Sequence, residues 1–372
     1  MSRVTEELLP ISAPSRRFKD GNFRAKIAEF LSVGPYLNGE HTLGFETEFA
    51  SYLGTTSCVG VSSGTSALEL ALMILDLQPG DSILTPANAG GYSSIAALRN
   101  QLTCDYYDVS EHGLPTSELL DSAKKSSSRV AIITHLYGQA ANMREILSWA
   151  NSNQILIIED CAQAAGAEIE GQKVGTFGLL STFSFYPTKN LGTVGDAGAI
   201  CTNDSVLADR LIQARQYGWS ERYFSSSKGS NLRMDEIHAF VLRDELKSLD
   251  DYNLKRRKIW RTYSDIFNNY ELGNVLIGVG DSSNVAHLGV IKTKERKQIR
   301  SFLLSLKISS DIHYPYPDYR QPNFQTKQNF LLANTEQLCR TVLTVPLFES
   351  MSNSEIERVS EALKMICERR YL

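Results

Sequence analysis

The sequence predicts an α/β protein, a mostly parallel sheet of seven strands flanked by helices, followed by a smaller α+β domain. Three observations carry this. Ile155-Leu156-Ile157-Ile158 is a run of four large aliphatics, which suits a strand buried on both faces in a parallel sheet. Short apolar segments alternate with helical patterns from Cys58 to Tyr217, the rhythm of strand–helix–strand units. After about residue 270 the rhythm changes. The chain therefore divides into a large domain over 1–250 and a small one over 251–372, joined by a long helix.

Composition bounds the function. The 372 residues are 42% hydrophobic and 22% charged, as in soluble globular proteins. A net charge of −4 gives no reason to expect a nucleic acid partner. No apolar run is long enough for a bilayer. The charged start MSRVTEELLP lacks an apolar leader core, so a cytoplasmic location without membrane attachment is expected. None of the six cysteines forms a CxxC pair, which fits buried, reduced thiols and neither disulfides nor a metal site.

The elements follow in order. Residues 23–33 and 43–53 read as helices, the second with Phe45, Phe49 and Leu53 at four-residue steps. Cys58 to Val61 is a short strand leading through Ser62-Ser63-Gly64-Thr65-Ser66 into a helix over 67–77. Small polar residues between a strand and a helix start build an anion pocket from free N–H groups, or simply cap the helix. Strands are read at 82–86, 104–108 and 130–135, with helices at 93–100, 117–125 and 143–150. His135 reads as a strand-end histidine with its bonding satisfied.

The aliphatic strand ends in Glu159-Asp160. Alternation puts these carboxylates on opposite sides, and ligands bind at the carboxyl ends of such strands. An acid there is costly unless a cation meets it; otherwise it caps the next turn. Phe183-Ser184-Phe185-Tyr186 alternates as a strand does, and Pro187 ends it. Lys189 then lies in a glycine-rich turn before Gly192, Gly195 and Gly198. A lysine buried among aromatics holds its proton less tightly and can attack an aldehyde, whereas a surface lysine would do neither. A strand at 199–202 and a helix at 205–217 follow. Next comes an amphipathic helix with Ile237, Val241, Leu242, Leu246 and Leu249, read as running through Lys255-Arg256-Arg257-Lys258 to Phe267. That basic run reads as a solvated face. Beyond it, strands are expected at 285–291 and 309–314, and helices at 295–306, 328–342 and 352–368.

Three elements converge: an anion pocket at Ser63–Ser66, an acid at a strand end and a lysine in a turn. Pyridoxal phosphate needs one of each. The segments SSGTSALELAL, PGDSILTPAN, HLYGQ, IIEDCAQAAGA, FSFYPTKNLGTVGDAGA and NLRMDEIHAFVL together resemble the DegT/DnrJ/EryC1/StrS family of pyridoxal-phosphate sugar aminotransferases. The likeness runs from about Phe45 to Tyr263, with an echo at His313-Tyr314-Pro315.

The resemblance implies fold type I, the aspartate aminotransferase architecture. It implies that Lys189 forms the Schiff base and moves the proton, and that Asp160 pairs with the pyridinium nitrogen. It gives Gln163 the ring hydroxyl and Gly64, Thr65 and Ser184 the phosphate. Asn231 would reach the phosphate from the other subunit of a homodimer with shared active sites. Tyr186, Tyr314 and His313 would lie near a nucleotide-linked sugar, the partner of an amino-acid donor, glutamate. The family's stacking aromatic is replaced here by Gly90, and Tyr92 is expected to take over its place. Asn142, Ala165 and Asp318-Tyr319-Arg320 depart from the family pattern and bear on the substrate. The wording from Tyr186 to Gly192 is similar to members acting on 3-oxo sugars. A 4-oxo sugar, a non-nucleotide ketone, a dehydration on the same fold and a non-catalytic regulator are the alternatives.

Overall fold

The computed structural model describes residues 7–18, 21–278, 281–324, 331–369 and 371. Helices α1 (Gly21–Val33) and α2 (Glu40–Leu53) precede β1 (Ser57–Val61) and α3 (Gly64–Met73). Then come β2 (Ser82–Pro86), α4 (Tyr92–Arg99), β3 (Thr103–Tyr107), α5 (Ser117–Ala123), β4 (Ser128–Thr134) and α6 (Met143–Asn153). The large sheet is completed by β5 (Leu156–Asp160), β6 (Leu180–Ser184) and β7 (Gly198–Thr202). Helices α7 (Ser205–Ala214), α8 (Glu236–Leu246) and α9 (Leu249–Asn269) follow. The last part contains β8 (Leu276–Ile277), β9 (Gly289–Lys292), α10 (Arg296–Ser305), α11 (Ala333–Thr341), β10 (Val342–Val345) and α12 (Asn353–Glu368).

The large sheet has seven strands in the order β1-β7-β6-β5-β4-β2-β3. All neighbours are parallel except β7, which runs antiparallel to both β1 and β6. Burial on both faces is visible in the side chains. Val130, Ile132 and Ile158 enter one apolar cluster and Ala131, Ile133 and Ile157 another, because the pleat alternates sides. Parallel pairing aligns Thr134, Asp160 and Thr182 along one edge, and this edge carries the candidate site.

A second sheet, β8-β9-β10, is antiparallel. Trp260, Tyr263 and Phe267 of α9 pack with Ile299, Leu303, Val359 and Leu363 in a cluster of its own. Leu9 belongs to that cluster and bridges to Ile308, so the segment before α1 lies across the second sheet's side of the molecule. The final helix begins at a capping box of Ser352 and Glu355. No helix among the described residues is long and apolar enough to cross a membrane.

Several boundaries differ from expectation. The strand placed at 183–186 runs instead from Leu180 to Ser184, because the chain turns back as Lys189 N–H bonds the Tyr186 carbonyl at 2.8 Å. The continuous long helix is two, broken between Leu246 and Leu249. The strand placed at 309–314 is a single bridge from Asp311 to Thr344, and the strand placed at 285–291 starts only at Gly289. The helix placed at 328–342 runs from Ala333 to Thr341; part of the expected span lies outside the described residues.

Candidate active site

A cavity of about 650 Å³ opens at the carboxyl edge of the large sheet. It collects residues far apart in the chain: Gly64 and Thr65 at the start of α3, Tyr92 at the start of α4, Asp160 and Gln163 after β5, Ser184 at the end of β6, and Tyr186 and Lys189 in the turn beyond. His313 and Tyr314 close it from the other side. Asn231 is not in this wall; it is exposed, and its Oδ1 accepts from Arg233 Nε at 3.1 Å.

The lysine turn is held from below by aromatics. Phe183 and Phe185 point away from the cavity and are fully buried. Each meets a phenylalanine of α2 edge-on, Phe183 with Phe49 at 5.0 Å and Phe185 with Phe45 at 5.2 Å. Alternation then turns Ser184 and Tyr186 toward the cavity. The Lys189 carbonyl accepts from Arg17 Nη1 at 2.9 Å, while Nζ makes no hydrogen bond among the described residues. Burial pushes this amine down to about 8, against the pull of the Asp160 carboxylate.

Asp160 accepts from Thr134 Oγ1 at 3.2 Å and from the Ala162 N–H at 3.1 Å. Burial pushes its carboxyl up, opposed first by the Ala162 N–H and then by Lys189. Such an acid is stabilised as a carboxylate by any further cation placed against it. Glu159 faces the opposite side, as alternation requires. It accepts N–H groups of Gly175, Phe177 and Gly178 at 2.7–2.9 Å. His135 Nδ1 accepts from Ala141 N–H at 3.0 Å, so Nε2 carries the hydrogen and donates to Glu159 at 3.1 Å. His135, Glu159 and Cys161 bring their ligand atoms within 4.8 Å of one another, but the histidine and the glutamate are already engaged.

The anion pocket and the helix cap turn out to be one structure. Ser63 Oγ caps α3 by accepting from Ser66 N–H at 3.0 Å. The first N–H groups of the helix, those of Gly64 and Thr65, have no acceptor within it and lie at the cavity. Gly64 is needed for closeness, since a Cβ there would come within 2.6 Å of the Ser184 Cβ. Gln163 Oε1 accepts from Tyr137 N–H at 2.7 Å, and its Nε2 donates to the Tyr314 hydroxyl at 3.1 Å. Gly90 adopts φ of +85°, and a Cβ would fall 2.9 Å from both the Tyr92 and Tyr314 rings. Those rings meet edge-on at 6.4 Å in the space beside Gly90.

These residues fit pyridoxal phosphate on their own geometry: a glycine-lined cradle of free N–H groups, a buried acid receptive to a cation, and a partly deprotonated amine in one cavity.

A family model described as the DegT/DnrJ/EryC1/StrS aminotransferase family matches residues 18–364. The chain belongs to this family. The likeness read from the motifs is thereby borne out, and the match extends to both sides of the stretch that carried it. Among relatives of this aminotransferase are two bacterial transaminases. The dTDP-3-amino-3,4,6-trideoxy-alpha-D-glucose transaminase of Streptomyces venezuelae is 35% identical over 348 residues, covering 93% of this chain and 92% of the relative. The dTDP-3-amino-3,6-dideoxy-alpha-D-galactopyranose transaminase of Aneurinibacillus thermoaerophilus is 36% identical over 335 residues, covering 90% and 92%. The solved structure of S. venezuelae DesV in complex with a ketimine intermediate superposes with a TM-score of 0.92 at 33% identity, covering 98% of this chain and all of that one.

The cavity also holds residues that sequence reasoning missed. Arg256 was expected on a solvated face, yet it is 1% exposed. It pairs with Glu349 at 2.7 Å and donates to the His287 carbonyl at 3.1 Å. The signal was present in the spacing: Asn253, Arg256, Trp260, Tyr263 and Phe267 form one buried stripe of α9. His287 had no such signal, since it precedes β9 in irregular backbone.

Proposed function

We propose that this aminotransferase uses pyridoxal phosphate to move an amino group from glutamate to a nucleoside-diphosphate-linked keto sugar, a 3-oxo-6-deoxyhexose, in deoxyamino-sugar biosynthesis. The observation that carries the reading is the meeting of Lys189, Asp160 and the start of α3 in one cavity. When bound, the coenzyme supplies an aldehyde that takes up amines and a ring that draws electrons from the carbon being deprotonated. Lys189 offers Nζ to that aldehyde and afterwards carries the proton between carbons. Asp160 keeps the ring nitrogen protonated. Gly64, Thr65 and Ser184 hold the phosphate, Gln163 the ring hydroxyl, and Tyr92 covers the ring. Tyr186, His313 and Tyr314 bound the space left for the sugar.

Two arguments support the finer points. Both transaminases named above carry 3-amino-6-deoxy sugars in their names, which favours amination at position 3. Asn231 is exposed and outside its own cavity, which leaves it free to serve the phosphate site of a second copy in a homodimer.

Adding glutamate to the coenzyme-loaded protein should bleach its visible absorbance, and a 3-oxo sugar nucleotide should restore it. Lys189→Ala should lose this cycle. An unchanged spectrum with glutamate, or turnover by the alanine variant, would overturn the reading.

A further inference from the structure

One residue holds both ends of the loop that carries Tyr92. The chain leaves β2 at Pro86 and enters α4 at Tyr92. Between them Gly90 and Gly91 both take the left-handed region, with φ of +85° and +82°. Two such glycines give the loop little stiffness of its own. Gly91, which precedes the helix, offers it no side-chain cap. Asp318, in a short turn of helix over Asp318–Arg320, supplies the hold. Its N–H donates to the Ala87 carbonyl at 2.8 Å, at the start of the loop. Its Oδ2 accepts from Ser94 Oγ at 2.6 Å, in the first turn of α4. The same stretch of chain brings Phe324 against Gly91, where a Cβ would stand 3.0 Å from the ring.

The side-chain end of this brace is itself fixed. A carboxylate oxygen only accepts, so the Ser94 hydrogen goes to Asp318, and the Tyr106 hydroxyl 3.0 Å away donates to Ser94 Oγ. The chain Tyr106–Ser94–Asp318 thus ties β3, α4 and the turn together. All three residues are buried, so water does not compete for these bonds. Tyr92 itself is 45% exposed and meets the Tyr314 ring edge-on at 6.4 Å. Its direction is therefore set mainly by the backbone that carries it.

We infer that Asp318 is a positioning residue for Tyr92: by bracing the loop at Ala87 and at Ser94, it holds the Tyr92 ring at the cavity, where that ring covers the coenzyme. Gly90 has no side chain to lay over the coenzyme, so the cover depends on how the following helix start is seated. This rests on the pyridoxal-phosphate reading above and on the place of Tyr92 in it.

The test is a double-mutant cycle read by the affinity of the apoprotein for pyridoxamine phosphate, which has no aldehyde and so reports the pocket without covalent capture. Tyr92→Ala should weaken binding by roughly fivefold to tenfold. Asp318→Ala, which keeps the backbone bond to Ala87, should cause a loss of similar size. Ser94→Ala removes the same side-chain bond from the other partner and should match it, which guards against an Asp318 variant that folds poorly. Asp318→Asn keeps an oxygen for Ser94 and should recover most of the affinity. In the Tyr92→Ala background, Asp318→Ala should cost nothing further. Additive losses, as a general packing role would give, or wild-type affinity in both Asp318→Ala and Ser94→Ala, would overturn the inference. Unchanged affinity in Tyr92→Ala alone would remove the covering role of Tyr92 and the inference with it. Wild-type protein that binds no pyridoxamine phosphate would remove the coenzyme reading beneath both.

Discussion

A lysine in water is a poor nucleophile at neutral pH because nearly every amine carries a proton. The chain changes this at Lys189 by burial, and burial has an energetic cost. The folded amine titrates near 8 instead of near its ordinary 10.5. The unfolded state binds more protons between those values, so folding stability rises with pH across that window and is depressed below it. Lys189→Met should therefore raise the melting temperature of the apoprotein at pH 7, by an energy of roughly 3 kcal/mol. The gain should shrink steadily above pH 8 and vanish near pH 10.5. A thermal melt series of the two proteins checks this, and an advantage independent of pH would contradict it. The same titration predicts that covalent uptake of pyridoxal phosphate speeds up as pH rises through about 8. At this scale the sequence was readable where chemistry is local: Lys189 beside aromatics, Asp160 at the end of an aliphatic run. It was silent on His287, whose Nδ1 meets Asn190 only through the fold.

Elements set the distances between such groups. Helix α3 begins against the last residue of β6, and the contact of Gly64 with Ser184 brings unbonded N–H groups up to the cavity floor. Gly64→Ala puts a methyl into that contact and must push the helix start away. Affinity for pyridoxal phosphate, and for inorganic phosphate as a competitor, should fall by about tenfold or more. The melting temperature of the apoprotein should change far less. Equal loss in both measurements would mean the glycine serves packing alone. The strands and helices of this part were legible because each carries its own periodicity. The errors came where periodicity outruns hydrogen bonding. Phe183 to Tyr186 alternates beyond the last ladder pair, Ser184 with Gly198. The break before α9 lacks glycine or proline. It was marked only by Ser248 with Asp250 and Asp251 in the first turn, a helix-start pattern overshadowed by the continuous apolar stripe.

Across the whole molecule, a buried network joins the first segment, α9 and the residues after β10. Arg17 Nε donates to Glu349 at 2.7 Å, and Arg256 meets the other Glu349 oxygen. Burial alone would raise the Glu349 carboxyl, but Arg256 and the Arg17 hydrogen bond outweigh it and hold the group at about 2. Its folded value is depressed, so the stability it contributes is complete above about pH 4.3, the unfolded value, and is lost as pH falls through about 2. Wild-type protein should lose melting temperature through this acid window. Glu349→Gln should start lower at pH 7 and lose less on the way down, because two arginines are left without their carboxylate. Equal slopes for both would remove Glu349 from the acid response. None of this could be read along the chain, since Arg17 and Glu349 stand 332 positions apart and Arg256 sits in a run that looks solvated.

The bond from Arg17 to the Lys189 carbonyl is also a clasp between distant parts of the chain. The turn that bears Lys189 is fastened by a side chain from the segment before α1, and that side chain is anchored in turn by the Glu349 carboxylate. The seat of this turn therefore depends on two contacts that its own neighbours in sequence do not supply.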